Sequence, residues 1–404
     1  MDRIPHDPGA GGPQAPDRRR WAVLAAFSAL VACTQLLWLS FAPVTPQAAR
    51  ALGVSEGAVG DLAGANPLLY VVLALPAGRW LDRRFGRALS AGALLTVTGA
   101  LLRAVAPGTF GWVLAGQLVL AAGQPLVLNS TTKVAARYFP PGERTTAISV
   151  GSAAQFVGIL AAALTGGALH GAGGLPTLLR VHAAVAVVAG AAVLAAVRVP
   201  AGFAVTAPAD GAPATGPVRL RPDRTLWLLA GLLFVGAGAF NAVATWLETI
   251  LDRFGHGGSG GGLIALMTVA GVAGSAVLPA LAARHEHRRA MLLVTSATTV
   301  LVLLSVAVVH DLLFVGAVLT VEGFVLLAGL PVCLDWSEVH AGPEQAGTAT
   351  GFLLLAGNLG GAVLVVLVQV LVDRPALALA ALAAAALPGV ACAAGLPRRA
   401  VPVP

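Results

Sequence analysis

Charge is scarce in this chain. Only 11% of its 404 residues are Asp, Glu, Lys or Arg, against about 25% in soluble domains, and the mean hydropathy is +0.84. A water-soluble domain is therefore excluded. There is one lysine, Lys133, and the three cysteines, Cys33, Cys333 and Cys392, all lie in apolar runs. No C-x-x-C pair and no histidine cluster accompanies them, so no disulfide framework, metal site or cofactor is indicated. Histidine is also rare within the apolar runs: only His182 sits well inside one, which leaves no nucleophile–base constellation for an enzyme. The formal net charge of +7 does not mark a nucleic-acid binder. That reading needs a basic face on a soluble domain, whereas these arginines punctuate apolar runs.

What remains is hydrophobic sequence, 57% of the chain. About twelve runs of roughly 20 residues, enough for a ~30 Å hydrocarbon core, cover 21–44, 57–80, 88–106, 110–137, 146–170, 176–198, 225–251, 262–283, 290–310, 312–337, 346–372 and 376–396. They are spans 1 to 12. Arg18, Arg19 and Arg20 before span 1 look like the start of a secretion signal. The run after them is longer than the ~7–15 residues of a signal core, which makes it an uncleaved first span. The expected organisation is a disordered tail (1–20), a six-span bundle (21–198), a Pro, Ala and Gly linker (199–224), a second bundle (225–396) and a short tail (397–404). All but five of the 25 Lys and Arg residues then fall on one side, the exceptions being Arg50, Arg103, Arg180, Arg253 and Arg374. The positive-inside rule makes that side cytoplasmic, with both termini on it. A codon-bias argument, from little Lys and Asn and much Ala, Gly, Arg and Val, suggests a bacterial plasma membrane.

The two halves repeat. Leu75-Pro76-Ala77 recurs as Leu278-Pro279-Ala280, and Ala153 to Gly158 recurs loosely as Ala356 to Gly361, both at an offset of 203 residues. The fold class is thus all-α and integral to the membrane, about twelve helices in two pseudo-symmetric six-helix bundles. The same offset pairs Trp38 with Asn241 and Gln155 with Asn358. Gln155 lies about 14 Å deep at 1.5 Å per residue. Polar groups at that depth are costly unless paired or facing a wet cavity. Trp38, Gln155, Asn241 and Asn358 are accordingly the substrate-site candidates, with interhelical glue as the alternative reading. An indole face and carboxamides without a carboxylate suit a quaternary ammonium or a neutral polar solute. Glu322, about 15 Å deep in span 10, is either a carrier of a co-transported or exchanged proton or a carboxyl bonded to a neighbouring helix.

Between spans 2 and 3 stands the densest charge, Pro76 to Arg87. Its pattern Gly78-x-x-x-Asp82-Arg83 followed by Gly86-Arg87 resembles the helix 2–3 loop of major facilitator superfamily transporters. That resemblance implies a cytoplasmic gate in which the glycines allow a tight turn and the acid and arginines latch helix ends. The related stretch Pro279 to Arg289 lacks the Gly-x-x-x-Asp pattern and implies a weaker latch. Lys133 is open to two readings, gate contact or topology marker.

More narrowly, Trp21 and Trp38, the stretch Gly123 to Gly158 and the stretch Gly329 to Gly361 resemble the feline leukaemia virus subgroup C receptor-related family of choline, ethanolamine and haem transporters. The family's cage has an aromatic in helix 1, a glutamine in helix 5, an aromatic in helix 7 and a glutamine in helix 11. Trp38 and Gln155 match, Asn358 is a shortened second glutamine, and Asn241 stands at the second aromatic, which weakens choline as a substrate. Trp246 lies about 140° round an ideal helix from Asn241. The leading expectation is a secondary active transporter, monomeric in the bilayer, that carries a small organic cation or polar metabolite by alternating access. A proton-coupled exporter of drugs or natural products is the runner-up, and a non-transporting receptor or assembly protein is the third reading.

Overall fold

The computed structural model describes residues 18–203, 220 and 222–400. The expectations for residues 1–17, for most of the linker including Arg219 and Arg221, and for 401–404 lie outside the described residues. Buried in hydrocarbon, backbone N–H and C=O groups must bond within their own segment, so apolar runs of this length become helices. The described residues form α1 (Arg19–Trp38), α2 (Thr45–Leu52), α3 (Glu56–Val105), α4 (Phe110–Leu128), α5 (Ser130–Tyr138), α6 (Pro141–Ala196), α7 (Arg224–Arg253), α8 (Gly260–Arg284), α9 (Arg288–Val308), α10 (Leu312–Leu326), α11 (Gly329–Leu371) and α12 (Pro375–Gly395). Span 1 ends at Trp38 instead of residue 44, and a 3-10 turn containing Pro43 leads into the short α2, whose first turn contains Pro46.

Three helices are too long for one crossing. Fifty residues of α3 would reach about 75 Å, more than twice the ~30 Å core. The backbone breaks within α3 at Arg84 (φ −145°, ψ 60°), within α6 at Gly173 and Gly174, and within α11 at Gly342. Gly174 (φ 70°) and Gly342 (φ 76°) hold left-handed conformations that a side chain would strain. Among the described residues nine helical runs are long and apolar enough to cross a membrane. The three that contain these breaks, α3, α6 and the α10–α11 run, each cross twice, which gives twelve crossings. Leu68, Leu164, Leu313 and Val370 stand exposed on their outer surface, as lipid-facing residues do.

Inside each half, glycines let helices touch backbone to backbone. A Cβ on Gly158 of α6 would lie 2.1 Å from the Ala32 carbonyl oxygen of α1, and one on Gly360 of α11 would lie 1.9 Å from that of Phe234 in α7. These two contacts are the same contact in the two halves, and their residues differ by 202. The end of the bundle that carries Arg84, Lys133, Arg144 and Arg288 is here the basic end. There Thr145 and Thr348 each donate to a carboxylate of the opposite half, Asp335 and Asp82. At the depth of Gly158 and Gly360 the halves thus correspond at 202, and the one residue of difference from 203 turns the helix face by about 100°. The spatial counterpart of Trp38 is Phe240, and that of Gln155 is Gly357.

Candidate functional site

At the basic end the halves are joined by polar contacts. Asp82 of α3 accepts hydrogen bonds from the backbone N–H of Gly347 and of Thr348, each at 2.9 Å, and from the Thr348 hydroxyl. Lys133 of α5 lies 3.0 Å from Asp82 and donates to the carbonyls of Pro343 and Glu344 at 2.7 and 2.9 Å. Residues 343 and 347, and 344 and 348, are the i and i−4 partners of an α-helix, so the ion pair of one half engages both sides of the first turns after the Gly342 break in the other. Gly78 is what permits this approach, since a Cβ there would fall 2.6 Å from the Gly347 carbonyl oxygen.

Several expectations for this region are corrected. Gly78 and Gly86 do not form a loop: the helix runs through both and breaks at Arg84. Arg83 and Arg87 are exposed, and the cation paired with Asp82 is Lys133, buried beside it. The second contact uses Arg144, 2.8 Å from Glu338, and Asp335, which accepts from Thr145 of the opposite half at 2.5 Å and from Arg288 of its own half at 2.6 Å. Of the Pro279 to Arg289 stretch, Arg288 contributes to it, indirectly.

Beyond these contacts, between the halves, lies a cavity of about 160 Å³. Trp38, Gln155, Asn241 and Asn358 all line it, together with Gln35, Tyr70, Gln124, Phe156 and Phe240. Among the described residues no Asp, Glu, Lys, Arg or His lines it. Local bonds fix how each group faces it. Trp38 donates its indole N–H to the Ala63 carbonyl at 2.8 Å, and Tyr70 its hydroxyl to Asn129 Oδ1 at 2.5 Å, so both keep their polar atoms away from the cavity and present rings. Phe156 and Phe240 meet edge to face across the halves, centroids 6.1 Å apart. Asn241 and Asn358 each donate Nδ2 to the carbonyl one turn back in the same helix, at 2.8 Å. A carbonyl oxygen is only an acceptor, so in both residues Oδ1 is left for a ligand. Gln155 keeps its Nε2 buried with no hydrogen-bond partner. Trp246 is absent from the cavity, its indole N–H bonded to the Val365 carbonyl.

Glu322 is buried next to the cavity without lining it. Its Oε1 accepts from Thr299, a lining residue, at 2.6 Å, while Oε2 has no partner. His182 is packed, bonded through Nδ1 to Ser40 at 2.9 Å. Arg103, counted above among the outer charges, is instead 1% exposed inside the first half. It donates to the Leu37 carbonyl at 2.8 Å and to Gln117 at 2.9 Å, with the Phe41 ring 4.8 Å away. Of the lining residues, Gln35, Tyr70, Gln124, Phe156 and Phe240 were not among the sequence candidates, and neither was the buried Arg103. Phe240 stood one position from the chosen Asn241, and Arg103 lay close enough to a span end to pass for a loop charge.

A family model described as Major Facilitator Superfamily matches residues 23–365. Solute carrier family 49 member A3 of Danio rerio is 29% identical over 376 residues, 88% of this chain and 79% of that protein. The human choline/ethanolamine transporter FLVCR2 is 31% identical over 146 residues, 35% of this chain and 28% of that protein. Among solved structures, the human organic anion transporter MFSD10 (TETRAN) is similar with a TM-score of 0.76 over 94% of this chain and all (100%) of that one, at 17% identity. The Escherichia coli fucose:proton symporter FucP is similar with a TM-score of 0.71 over 93% of this chain and 99% of that one, at 14% identity. At such identities the structural likenesses establish the fold alone.

Proposed function

This chain belongs to the Major Facilitator Superfamily of transporters, and from that premise we propose that it carries a small polar metabolite with an ammonium end, such as an amino alcohol or its quaternary derivative. The observation that carries the reading is the cavity wall: four aromatic rings and five carboxamides with no ionised side chain. Ring faces attract a soft cation, and the amide oxygens of Asn241 and Asn358 accept from an ammonium or lie against its methyl groups. A carboxylate would be needed for a strongly hydrated cation, and an arginine for an anion. Phe240 supplies the second aromatic face that Asn241 lacks, which restores the case for choline-like ligands. A relative that shares part of this sequence is named a choline/ethanolamine transporter. The cavity volume, about 160 Å³, is below the ~300–1,000 Å³ usual for drug-sized ligands and favours a metabolite over a bulky drug. The protein would sit in the plasma membrane as a monomer with both termini and the basic end cytoplasmic. Its halves would rock about the cavity, and the Asp82–Lys133 latch would close the inner side while the outer is open.

A second reading adds a proton. The partnerless oxygen of Glu322 behind Thr299 favours it, since a carboxyl so placed can gain or lose a proton as the cavity alternates.

The test is thermal stabilisation of purified protein by a panel of organic cations and metabolites, with choline and ethanolamine included. A ligand that stabilises the parent should fail with the Trp38→Ala, Gln155→Ala double variant. Phe240→Ala should weaken it about tenfold, in keeping with ~1–2 kcal/mol for a desolvated cation on a ring, and Asn241→Ala by less. Stabilisation of parent and double variant alike by bulky hydrophobic drugs alone would replace this reading with the exporter.

A further inference from the structure

Behind the Gln124 side chain runs a line of buried carboxamides that reaches Arg103. Arg103 donates through Nη1 to Gln117 Oε1 at 2.9 Å, Gln117 Nε2 donates to Asn66 Oδ1 at 2.8 Å, and Asn66 Nδ2 donates to Gln124 Oε1 at 3.1 Å. All four side chains are at least 96% buried, and of the four only Gln124 lines the cavity. An amide can usually turn over and exchange its donor and acceptor ends. Here it cannot. A guanidinium has donors and no acceptor, so Gln117 must offer it oxygen. Its nitrogen then faces Asn66, which must offer oxygen in turn, and the same step repeats at Gln124. The last amide has its oxygen occupied and its NH2 left for the cavity.

We propose that Arg103, without touching the substrate, sets the specificity of this wall: it polarises the relay so that Gln124 presents hydrogen-bond donors and selects a substrate carrying an acceptor oxygen at that end. Resting on the ammonium reading above, this makes the cavity two-ended. Asn241 and Asn358 of the second half offer oxygens, and Gln124 of the first half offers N–H groups. Arg103 is a positioning residue, and its guanidinium is retained at depth by the Leu37 carbonyl, the Gln117 amide and the Phe41 ring without a carboxylate.

Three ligands separate the ends: choline, its O-methyl ether, whose oxygen only accepts, and propyltrimethylammonium, which has a methyl group in place of the hydroxyl. The parent should bind choline and the ether within about threefold of each other. It should bind the propyl analogue on the order of tenfold more weakly, because a donor is left unpaired. Gln117→Glu reverses the relay while giving Arg103 a partner. Its carboxylate only accepts, so Asn66 must turn its NH2 toward it, Gln124 must donate to Asn66, and the cavity meets an oxygen. The ether should then fall about tenfold below choline, whose hydroxyl can turn to donate. Arg103→Met should level the three ligands, and Arg103→Lys, also donor-only, should restore the parent order. An ether that binds the parent as poorly as the propyl analogue, or an unchanged order in Gln117→Glu, overturns the proposal. Should none of the three bind the parent, the ammonium reading fails and the relay is judged without ligand. Melting-temperature losses of Arg103→Met and Gln124→Leu should be non-additive in the double variant, although the two residues share no contact. Additive losses would overturn it.

Discussion

The two halves share a plan and place their buried polarity differently. In the first half, side chains of α3, of α4 and of Asn129 between α4 and α5 bond to one another: Arg103 to Gln117, Gln117 to Asn66, Asn66 to Gln124, and Tyr70 to Asn129. In the second, Thr268, Thr320, Ser305, Asn241 and Asn358 each bond to a carbonyl of the same helix. There Thr299 to Glu322 is the side-chain pair between neighbouring helices at cavity depth. A bond across helices within a membrane contributes only about 0.6 kcal/mol on average, so the difference concerns geometry more than stability. The first half presents a fixed, oriented wall to the cavity. The carboxamides of the second, Asn241 and Asn358, are bonded only within their own helices.

The largest expected effect tests the shared plan. Gly158→Ala and Gly360→Ala would each drive a methyl group to about 2 Å from a backbone carbonyl oxygen, a clash no rotamer relieves. Each should cost more than the ~1–3 kcal/mol of ordinary overpacking, seen as a large drop in melting temperature or loss of folded protein. A Cβ on Gly361, which the offset of 203 pairs with Gly158, would lie 3.0 Å from the Asn241 amide nitrogen, the end of a side chain, and Gly361→Ala should be much milder. Equal damage at Gly360 and Gly361 would break the claim that the halves correspond at 202 at this depth.

That one-residue difference marks where the sequence was and was not legible. The twelve crossings, the two halves and the central position of Trp38, Gln155, Asn241 and Asn358 could all be read from apolar run lengths and a repeat. The repeat was anchored at Pro76 and Pro279, in α3 and α8, and a shift of one residue in α7 and α11 leaves no trace in an Ala, Gly and Leu-rich run. The sequence pattern therefore pointed to Asn241, while Phe240 took the place opposite Trp38. Arg83 and Arg87 were legible as charges at a membrane face. That Lys133 would reach Asp82 instead depends on how α5 packs on α3, which no local pattern encodes. Arg103 was hidden for the opposite reason: hydropathy treats an arginine near a span end as solvent-facing, and only its buried acceptors retain it inside.

The next effect in size compares the two contacts at the basic end. Asp82 meets the opposite half through two backbone N–H groups and a hydroxyl, and Asp335 through Thr145 alone. Asp82→Asn leaves Lys133 without a carboxylate and weakens all three contacts. It should leave the protein folded and shift its population toward states open at the basic end, read as faster labelling of cysteines introduced at that mouth and slower labelling at the other. Asp335→Asn should shift it less, because Arg144 and Glu338 still join the same corner at 2.8 Å. A larger shift from Asp335→Asn would reverse the ranking of the two latches.

The smallest effect on binding, and the sharpest on mechanism, belongs to Glu322. The carboxyl is separated from the ligand by Thr299, so Glu322→Gln, which copies the shape of a protonated carboxyl and keeps an oxygen for Thr299, should change ligand affinity by no more than about twofold. If the carboxyl takes up and releases a proton in each cycle, the same variant abolishes the response of uptake to an imposed pH gradient in proteoliposomes while exchange of ligand across the membrane continues. If it merely holds α9 to α10, the pH response of parent and variant is the same. The expected outcome is the first, because a carboxyl serving only as an acceptor for Thr299 has no need of the second oxygen that Glu322 keeps buried without a partner. A glutamine at that site would bring its own unpaired NH2, and Thr299→Val, which removes the bond but leaves the carboxyl, should keep the pH response that Glu322→Gln loses.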